Sequence, residues 1–389
     1  SFDGTVLGQH ATVSDPVSGD QTWEKVVSKN LGLDLNMFNN RLSLTTDFYI
    51  RDTKGILGKG KSLPSIYGAS EPQMNANNLR TKGYELVLGW RDSFKLAGST
   101  FSYGITGTFS DYTAEYTKCD NPTGLIGDPY VGKKYGEIWG YKVDGLFRND
   151  KEAAEYASRI DLSTVASGYY TATGAYGKGV RGGDIKYLDL NGDNIVNGGK
   201  GTLEDPGDRR VIGNSSPRYQ YGATLNFSWY GFDVSVFVQG IGRLDWYPGA
   251  DNLRFWGPYC RPYATFIPKN FMSRVWSEEN TDAYFPRARA YTSLNSTQGT
   301  AYYTNDRYLQ NLAYCRLKNL TLGYTIPKRL TSKVGIKECR VYFSGENLAT
   351  WSALKNDFLD PEQAAADSDK KSNVYPWCRT YSVGLNLTF

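Results

Sequence analysis

The chain has 389 residues, with 44 Lys and Arg against 40 Asp and Glu, a net charge of +4 and a mean hydropathy of −0.50. This near balance does not point to nucleic acid or a polybasic membrane surface as the partner, and no apolar run nears the ~18 residues of a transmembrane helix. One His argues against His-based metal or triad chemistry, while 42 Gly and 30 Tyr suggest many strands and turns.

In chain order, Ser1 opens polar, turn-like sequence with neither an initiator Met nor a secretory signal, as expected of a mature or truncated product. Lone His10 in that stretch reads as solvated. Spanning strands are expected near 30–37, 41–52, 79–91, 99–111, 217–229, 232–241, 312–326, 338–348 and 379–389. Their basis is alternation, because successive strand side chains point to opposite faces. Leu42, Leu44, Thr46, Phe48 and Ile50 alternate with Ser43, Thr45, Asp47, Tyr49 and Arg51; Tyr221, Ala223, Leu225, Phe227 and Trp229 alternate with Gly222, Thr224, Asn226 and Ser228. The last residues repeat the pattern, with Tyr381, Val383, Leu385, Leu387 and Phe389 on one face. The segments run to about ten residues, the length that crosses a bilayer at a tilt, against about 5–6 for soluble strands. Aromatics cluster near their ends (Trp90, Trp229, Tyr230, Tyr324, Phe389), as in interfacial girdles.

Long connections (53–78, 112–216, 242–309, 349–377) alternate with short ones (39–40, 92–98, 230–231, 327–337). Bacterial barrels have short periplasmic turns and long outer loops, so residues 1–29 lie outside and Phe389 ends on the periplasmic side. About nine strands is an odd set, and an even-stranded barrel would need further strands before Ser1. The expected fold is all-β: a transmembrane antiparallel β-barrel, with residues 1–389 as its C-terminal part.

The sharpest motif lies in the 112–216 excursion. Asp189, Asn191 and Asp193 stand at positions 1, 3 and 5 of an EF-hand-like loop, with the Ile195 carbonyl at position 7. Position 6 is Asn194 instead of Gly, and position 12 is Lys200 instead of a carboxylate. Asp208, beyond an insertion from Gly198 to Gly207, would supply the missing charge. A structural Ca²⁺ or Mg²⁺ is expected, beside the alternative of an Asp/Asn-rich turn without an ion. The 242–309 excursion carries Trp246, Tyr247, Phe255, Trp256, Tyr259, Tyr263 and Phe266. Trp246, Trp256, Tyr259 and Tyr263 are candidates for stacking on sugar rings or docking a lid; packing within the loop, or an interfacial girdle, is the competing reading. Short helices are expected over 152–156 and, after Pro268, over 270–276. Glu278, Glu279, Asp282, Asp357 and Asp360 lack the burial and paired placement of glycosidase carboxylates, and no Ser/His/Asp or Cys/His set assembles, so no catalytic residue is assigned. The five Cys are widely spaced without a CxxC and read as isolated thiols, with one chance pair left open.

Ordered blocks then carry a family resemblance. Gly183-Asp184-Ile185-Lys186 leads into the Asp189 loop, and Asp208 to Tyr219 reads DRRVIGNSSPRY. RLKNLTLGYTIP (316–327), VYFSGENLATW (341–351), DPE (360–362) and the terminal YPWCRTYSVGLNLTF follow, with Trp23-Glu24 and Thr81 to Glu85 as weaker matches. From about residue 22 onward the chain resembles the C-terminal part of SusC/RagA-type TonB-dependent transporters of the Bacteroidetes outer membrane. The resemblance implies a 22-stranded barrel whose lumen is filled by an N-terminal plug, with a short segment that pairs with TonB; neither plug nor segment is visible in this chain. It also implies a SusD-type lipoprotein lid, an oligosaccharide cargo with a peptide less often, and a last strand whose terminal Phe is an assembly signal. The expected role is TonB-dependent import of oligosaccharides across the outer membrane, in contact with lipid and lipopolysaccharide and without organic cofactor. The alternatives are a peptide importer, a soluble Tyr-rich glycan-binding β protein, or a complete ten-stranded barrel enzyme or porin.

Overall fold

The computed structural model describes residues 19, 21–59, 72–171, 179–260, 267, 269–289, 294, 299–356, 358–366 and 375–389. His10, Tyr263, Phe266, Pro268 and Asp357 lie outside the described residues. Nine antiparallel strands form one sheet: β1 (Lys25–Met37), β2 (Leu42–Lys59), β3 (Gln73–Leu96), β4 (Ser99–Lys118), then, beyond the first long excursion, β9 (Arg218–Trp229) and β10 (Phe232–Arg243), and finally β13 (Tyr314–Thr325), β14 (Glu338–Ser352) and β15 (Thr380–Thr388). They lie side by side in that order. Each expected spanning segment lies largely within one of them. The differences are in length. β2 and β3 continue as a ribbon into the expected 53–78 loop, with bulges near Lys54 and Ile56, and the expected 92–98 link shrinks to a two-residue turn. Above the band of alternation the two strands keep their ladder without needing two-sided patterning, so hydrophobic periodicity does not mark their ends.

The short connections follow turn chemistry. Ala97-Gly98 and Tyr230-Gly231 both have positive φ at both residues, the type I′ geometry that matches strand twist. The 38–41 turn places Phe38, Asn39 and Asn40 all at positive φ. Tyr230 reaches the neighbouring turn and donates its hydroxyl to the Ala97 carbonyl.

The remaining elements belong to the long excursions. They are β5 (Glu137–Tyr141), β6 (Val143–Leu146), α1 (Asp150–Ala157), α2 (Ser167–Thr171), β7 (Ile185–Tyr187), β8 (Arg209–Asn214), β11 (Asp245–Trp246), α3 (Leu253–Trp256) and β12 (Gln310–Asn311). The helix expected at 152–156 is the body of α1, where the Asn149 side chain accepts the Glu152 N–H at 2.9 Å and Glu152 in turn accepts the Arg148 N–H at 2.7 Å. The 270–276 helix is reduced to a 3₁₀ turn at Met272–Arg274, because Val275 leaves it to bridge Phe285.

The main hydrophobic core lies in these excursions, which join into a cap at one end of the sheet. Phe147, Leu162, Tyr187, Phe255, Trp256, Phe285 and Tyr308 are all buried there, drawn from both the 119–217 and 244–313 segments. Phe285 lies amid the Phe255, Tyr259, Phe271 and Tyr308 rings at centroid distances of 5.1–6.3 Å. Burying a side chain such as Phe285 contributes about 1.5–3 kcal/mol, and offset ring pairs add ~1 kcal/mol. The sheet is the opposite case, since its large apolar residues are exposed: Leu31 73%, Phe48 55%, Phe232 58% and Val383 79%.

Candidate functional site

Residues paired across adjacent strands share a face, so the register assigns every side chain of the sheet to one wall. Trp90 pairs with Ile105, Ile105 with Leu225, Leu225 with Val236 and Val236 with Leu320. Two residues along, Leu88, Gly107, Ala223 and Val238 continue the same wall. The apolar rows of nine strands therefore merge into one continuous face. The opposite face is mainly polar through its middle: Asn30, Tyr49, Gly83 and Tyr112 form one row, and Thr106, Thr224 and Asn319 fall in another that also holds Phe237.

Rings border the apolar face at two levels. Phe48, Tyr84, Phe109 and Tyr219 follow one another at 5.9–6.5 Å near the cap. Near the short turns Phe38 meets Trp90 at 6.2 Å, Trp229 meets Tyr230 at 4.9 Å and Phe232 meets Tyr324 at 4.5 Å. Along β9, Tyr219 and Trp229 are ten residues apart, about 34 Å of strand, and a ~45° tilt brings the height to about 24 Å.

The polar face is built by laying large groups over glycines. Tyr49 lies across Gly83, where a Cβ would fall 2.5 Å from its ring. The Arg340 guanidinium reaches across Gly323 of β13 to Asp233, at 2.9 and 2.5 Å, in a space a side chain at 323 would occupy. A hollow of about 740 Å³ opens at the short-turn end, lined in part by Arg91, Ser93, Ser102, Asn226, Ser228 and Ser235.

Where this wall meets the cap, β13 carries a clasp. Arg316, 2% exposed, bonds Asp360 at 2.7 Å, Glu362 at 2.6 Å and the Thr350 hydroxyl at 2.9 Å. A bulge between Leu317 and Asn319 brings Lys318 to one of these acids, 2.9 Å from Glu362, and its ammonium lies 4.8 Å from the centre of the Trp377 ring. The clasp thereby draws the DPE segment onto the polar face. Sequence reading missed it. RLKNL and DPE are each visible, but only the fold joins residues more than forty positions apart.

The cap has its own buried polar joints. Asp184 accepts both arms of Arg289 (3.0 and 2.6 Å) and the Arg181 N–H at 2.8 Å, and the Arg289 guanidinium lies over the Tyr169 ring at 4.1 Å. Burial outweighs these partners and pushes the Asp184 carboxyl up to about 6. Burial also raises the Tyr187, Tyr247 and Tyr308 hydroxyls, which act as neutral donors: Tyr247 donates to the Ala301 and Tyr303 carbonyls at 3.1 and 3.0 Å.

The residues expected at the 189–208 loop are brought together, but largely for the backbone. Asp189 accepts the Gly192 and Asn194 N–H groups at 2.7 and 2.9 Å, Asn191 accepts that of Asp193 at 3.1 Å, and Asp193 that of Ile195 at 2.8 Å. Asn194 stands at φ +66°, the left-handed position such a loop needs at its sixth residue. Asp208 is fully buried and accepts the N–H groups of Leu190, Asn191 and Asn197 at 2.7, 3.4 and 2.9 Å, as the hub of the loop. Among the described residues no three His, Cys, Asp or Glu side chains converge as a metal-ligand group.

For three of the four candidate rings burial favours the competing reading of packing within the loop; Tyr263 lies outside the described residues. Trp246, Trp256 and Tyr259 are 5%, 1% and 1% exposed and pack within the cap core, so their faces meet Tyr308, Phe285 and their neighbours instead of a sugar or a lid. Tyr259 donates its hydroxyl to the Pro286 carbonyl at 2.6 Å. An aromatic run in a long loop fills the loop's own core once the loop is large enough to have one. None of the five Cys is joined to another in a disulfide among the described residues.

No protein-family model matches the chain. TonB-dependent receptor P3 of Formosa agariphila is 26% identical over 399 residues, covering 97% of this chain and 35% of the receptor. TonB-dependent receptor P26 of the same organism is 26% identical over 398 residues, with 97% and 36% covered. The TonB-dependent receptor SusC of Bacteroides thetaiotaomicron is 20% identical over 378 residues, with 94% and 32% covered. Its homologues are TonB-dependent receptors, SusC among them. The chain spans about a third of the length of these relatives. Among solved structures, the RagAB peptide transporter superposes with a TM-score of 0.63 at 20% identity, over 94% of this chain and 36% of that one. The RagAB peptide importer in its 'open-open' state gives 0.64 at 21% identity, over 97% and 36%. The fold is that of a C-terminal part of a TonB-dependent transporter barrel, and the nine-stranded sheet is a stretch of its wall.

Proposed function

We propose that this chain supplies wall and outer loops to a TonB-dependent importer of nutrients in the bacterial outer membrane. One observation carries the reading: nine register-aligned strands turn a continuous apolar face, ringed by aromatics at two levels, away from a polar face. In hydrocarbon such a face is at home, and every backbone group must be paired in a closed sheet. The cap then belongs outside the cell, with the clasp at its junction with the lumen wall. Cargo would pass between the cap and whatever fills the lumen, driven by TonB, with a SusD-type lipoprotein as the lid. The homology to SusC and the fold shared with RagAB support this partner set.

The cargo is an oligosaccharide or a peptide. With Trp246, Trp256 and Tyr259 inside the cap core, these three rings give no support to sugar; the shared fold with RagAB, a peptide transporter, favours the second reading. Deleting the gene and following uptake of labelled oligosaccharides and peptides tests both. Loss of one class alone names the cargo, and unchanged uptake of both overturns the importer reading. Extraction without detergent, and a gel band that does not shift on heating, would favour the soluble glycan-binding alternative.

We also propose that the 189–195 loop takes a structural Ca²⁺ or Mg²⁺. Asp189, Asn191, Asp193 and the Ile195 carbonyl keep lone pairs beside those given to the backbone, whereas Asp208 serves the amides and holds the loop in shape. Such an ion would stiffen the cap and do no chemistry. Chelator should lower the melting temperature of the intact protein, with Ca²⁺ restoring it; equal melting with and without chelator would leave the Asp/Asn turn ion-free.

A further inference from the structure

The connection between β13 and β14 differs from the other turns at its end of the sheet. Residues 327–337 form a helical turn, α4 (Lys328–Thr331), then a 3₁₀ turn at Ser332–Val334 and Gly335 at φ +75°. Lys328, Arg329, Lys333 and Lys337 all fall in this segment, and no acid occurs between Thr325 and Glu338. All four are exposed, and none forms an ion pair with a described residue. Two other cations toward this end of the sheet are matched, Arg41 with Asp92 at 3.2 Å and Arg340 with Asp233 at 2.5 Å. Here four positive charges stand together with no acid paired to them among the described residues.

The segment is also fixed in place. The Ile326 N–H bonds the Cys339 carbonyl at 2.9 Å, the Ile336 N–H bonds the Thr331 carbonyl at 3.2 Å, and the Lys337 N–H bonds the Thr388 carbonyl at 2.8 Å. Between the two turns lies a hollow of about 380 Å³ lined by Lys328, Ser332, Gly335, Ile336 and Lys337. Leu330 is 53% exposed beside it. Tyr324, paired with Phe232 in the lower aromatic belt, is only four residues from Lys328, so the cations stand just beyond the level where rings mark the edge of the apolar band.

We propose that this hairpin is a binding surface for anionic phospholipid headgroups of the leaflet on the short-turn side, the ammonium and guanidinium groups taking the phosphates while Leu330 and Ile336 face acyl chains. The proposal rests on the membrane reading given above. Juxtamembrane cations contribute through the negative surface potential and by direct contact, and their long stems let the charge reach the headgroup plane.

The test uses the full-length protein in nanodiscs of phosphatidylcholine with a minor fraction of phosphatidylglycerol, and native mass spectrometry to read which lipids stay bound. Retention of phosphatidylglycerol over phosphatidylcholine is expected to fall ~5-fold when Lys333 alone becomes Gln and ~25-fold for Lys333→Gln with Lys337→Gln. Lys333→Arg with Lys337→Arg should keep it, and 0.5 M salt should weaken it. Equal retention in the Gln and native proteins overturns the proposal. So does tight binding of polyglutamate or inorganic phosphate in detergent without any lipid preference, which would make the surface a site for an acidic protein or free phosphate. Brominated lipid separates the two levels of inference: quenching of the native tryptophans without phosphatidylglycerol preference sinks this surface alone, whereas no quenching sinks the membrane reading with it.

Discussion

Replacing Leu225 with Arg puts a guanidinium on the apolar face of β9, between strands β4 and β10. Leu225 pairs with Ile105 on one side and Val236 on the other and is 37% exposed. It stands six residues from Tyr219 and four from Trp229, so about 14 Å of strand, or ~10 Å of height, separates it from the lower belt. That is close to the middle of a ~25 Å apolar band, where Arg costs about 2–4 kcal/mol. Taking ~3 kcal/mol, the ratio of folded to unfolded protein drops about a hundredfold. Thr224, one residue earlier, faces the polar wall with Thr106 and Phe237, and Thr224→Arg should cost ~1 kcal/mol or less. The assay is reversible folding of the full-length protein into phosphatidylcholine vesicles, followed by tryptophan fluorescence and by the heat-dependent gel shift. Equal stabilities for the two variants would mean that Leu225 faces water or protein, and the assignment of the apolar face to lipid would be wrong.

Two further outcomes follow from the cap and its junction. Arg316→Met leaves Asp360 and Glu362 without their guanidinium in a nearly dry site, and losing one partner of a buried ionic group costs about 3–5 kcal/mol; hydrogen exchange should rise across 353–366 while the β9–β10 ladder stays protected. Asp184, raised by burial to about 6, lies above its unfolded value of about 3.9, so its contribution to stability is complete below pH ~4 and is lost as pH rises through 6. The native cap should therefore lose melting temperature between pH 4 and 7 relative to an Asp184→Asn variant, and parallel curves for the two proteins would contradict this.

The two-sided strands were legible because their signal is local. An antiparallel strand between two media needs a residue type at each position and nothing from afar, so Leu42 to Ile50 and Tyr381 to Phe389 declare their faces by themselves. Strand ends above the band were not legible, since β2 and β3 run on through ladder bonds that any residue can make. The Asp189 loop was visible as a run of alternate oxygens, but the role of Asp208 as its hub needed the fold.

The sequence alone determined that this chain builds a long-stranded antiparallel sheet with one apolar and one polar face, joined by alternating short and long connections. Tertiary structure decided that the long connections merge into one cap with its own core, that Trp246, Trp256 and Tyr259 belong to that core, and that Arg316 gathers Asp360 and Glu362. The physical reason is range: alternation is enforced residue by residue by the two media, whereas burial and ion pairing depend on which distant segments meet, and composition leaves those meetings open.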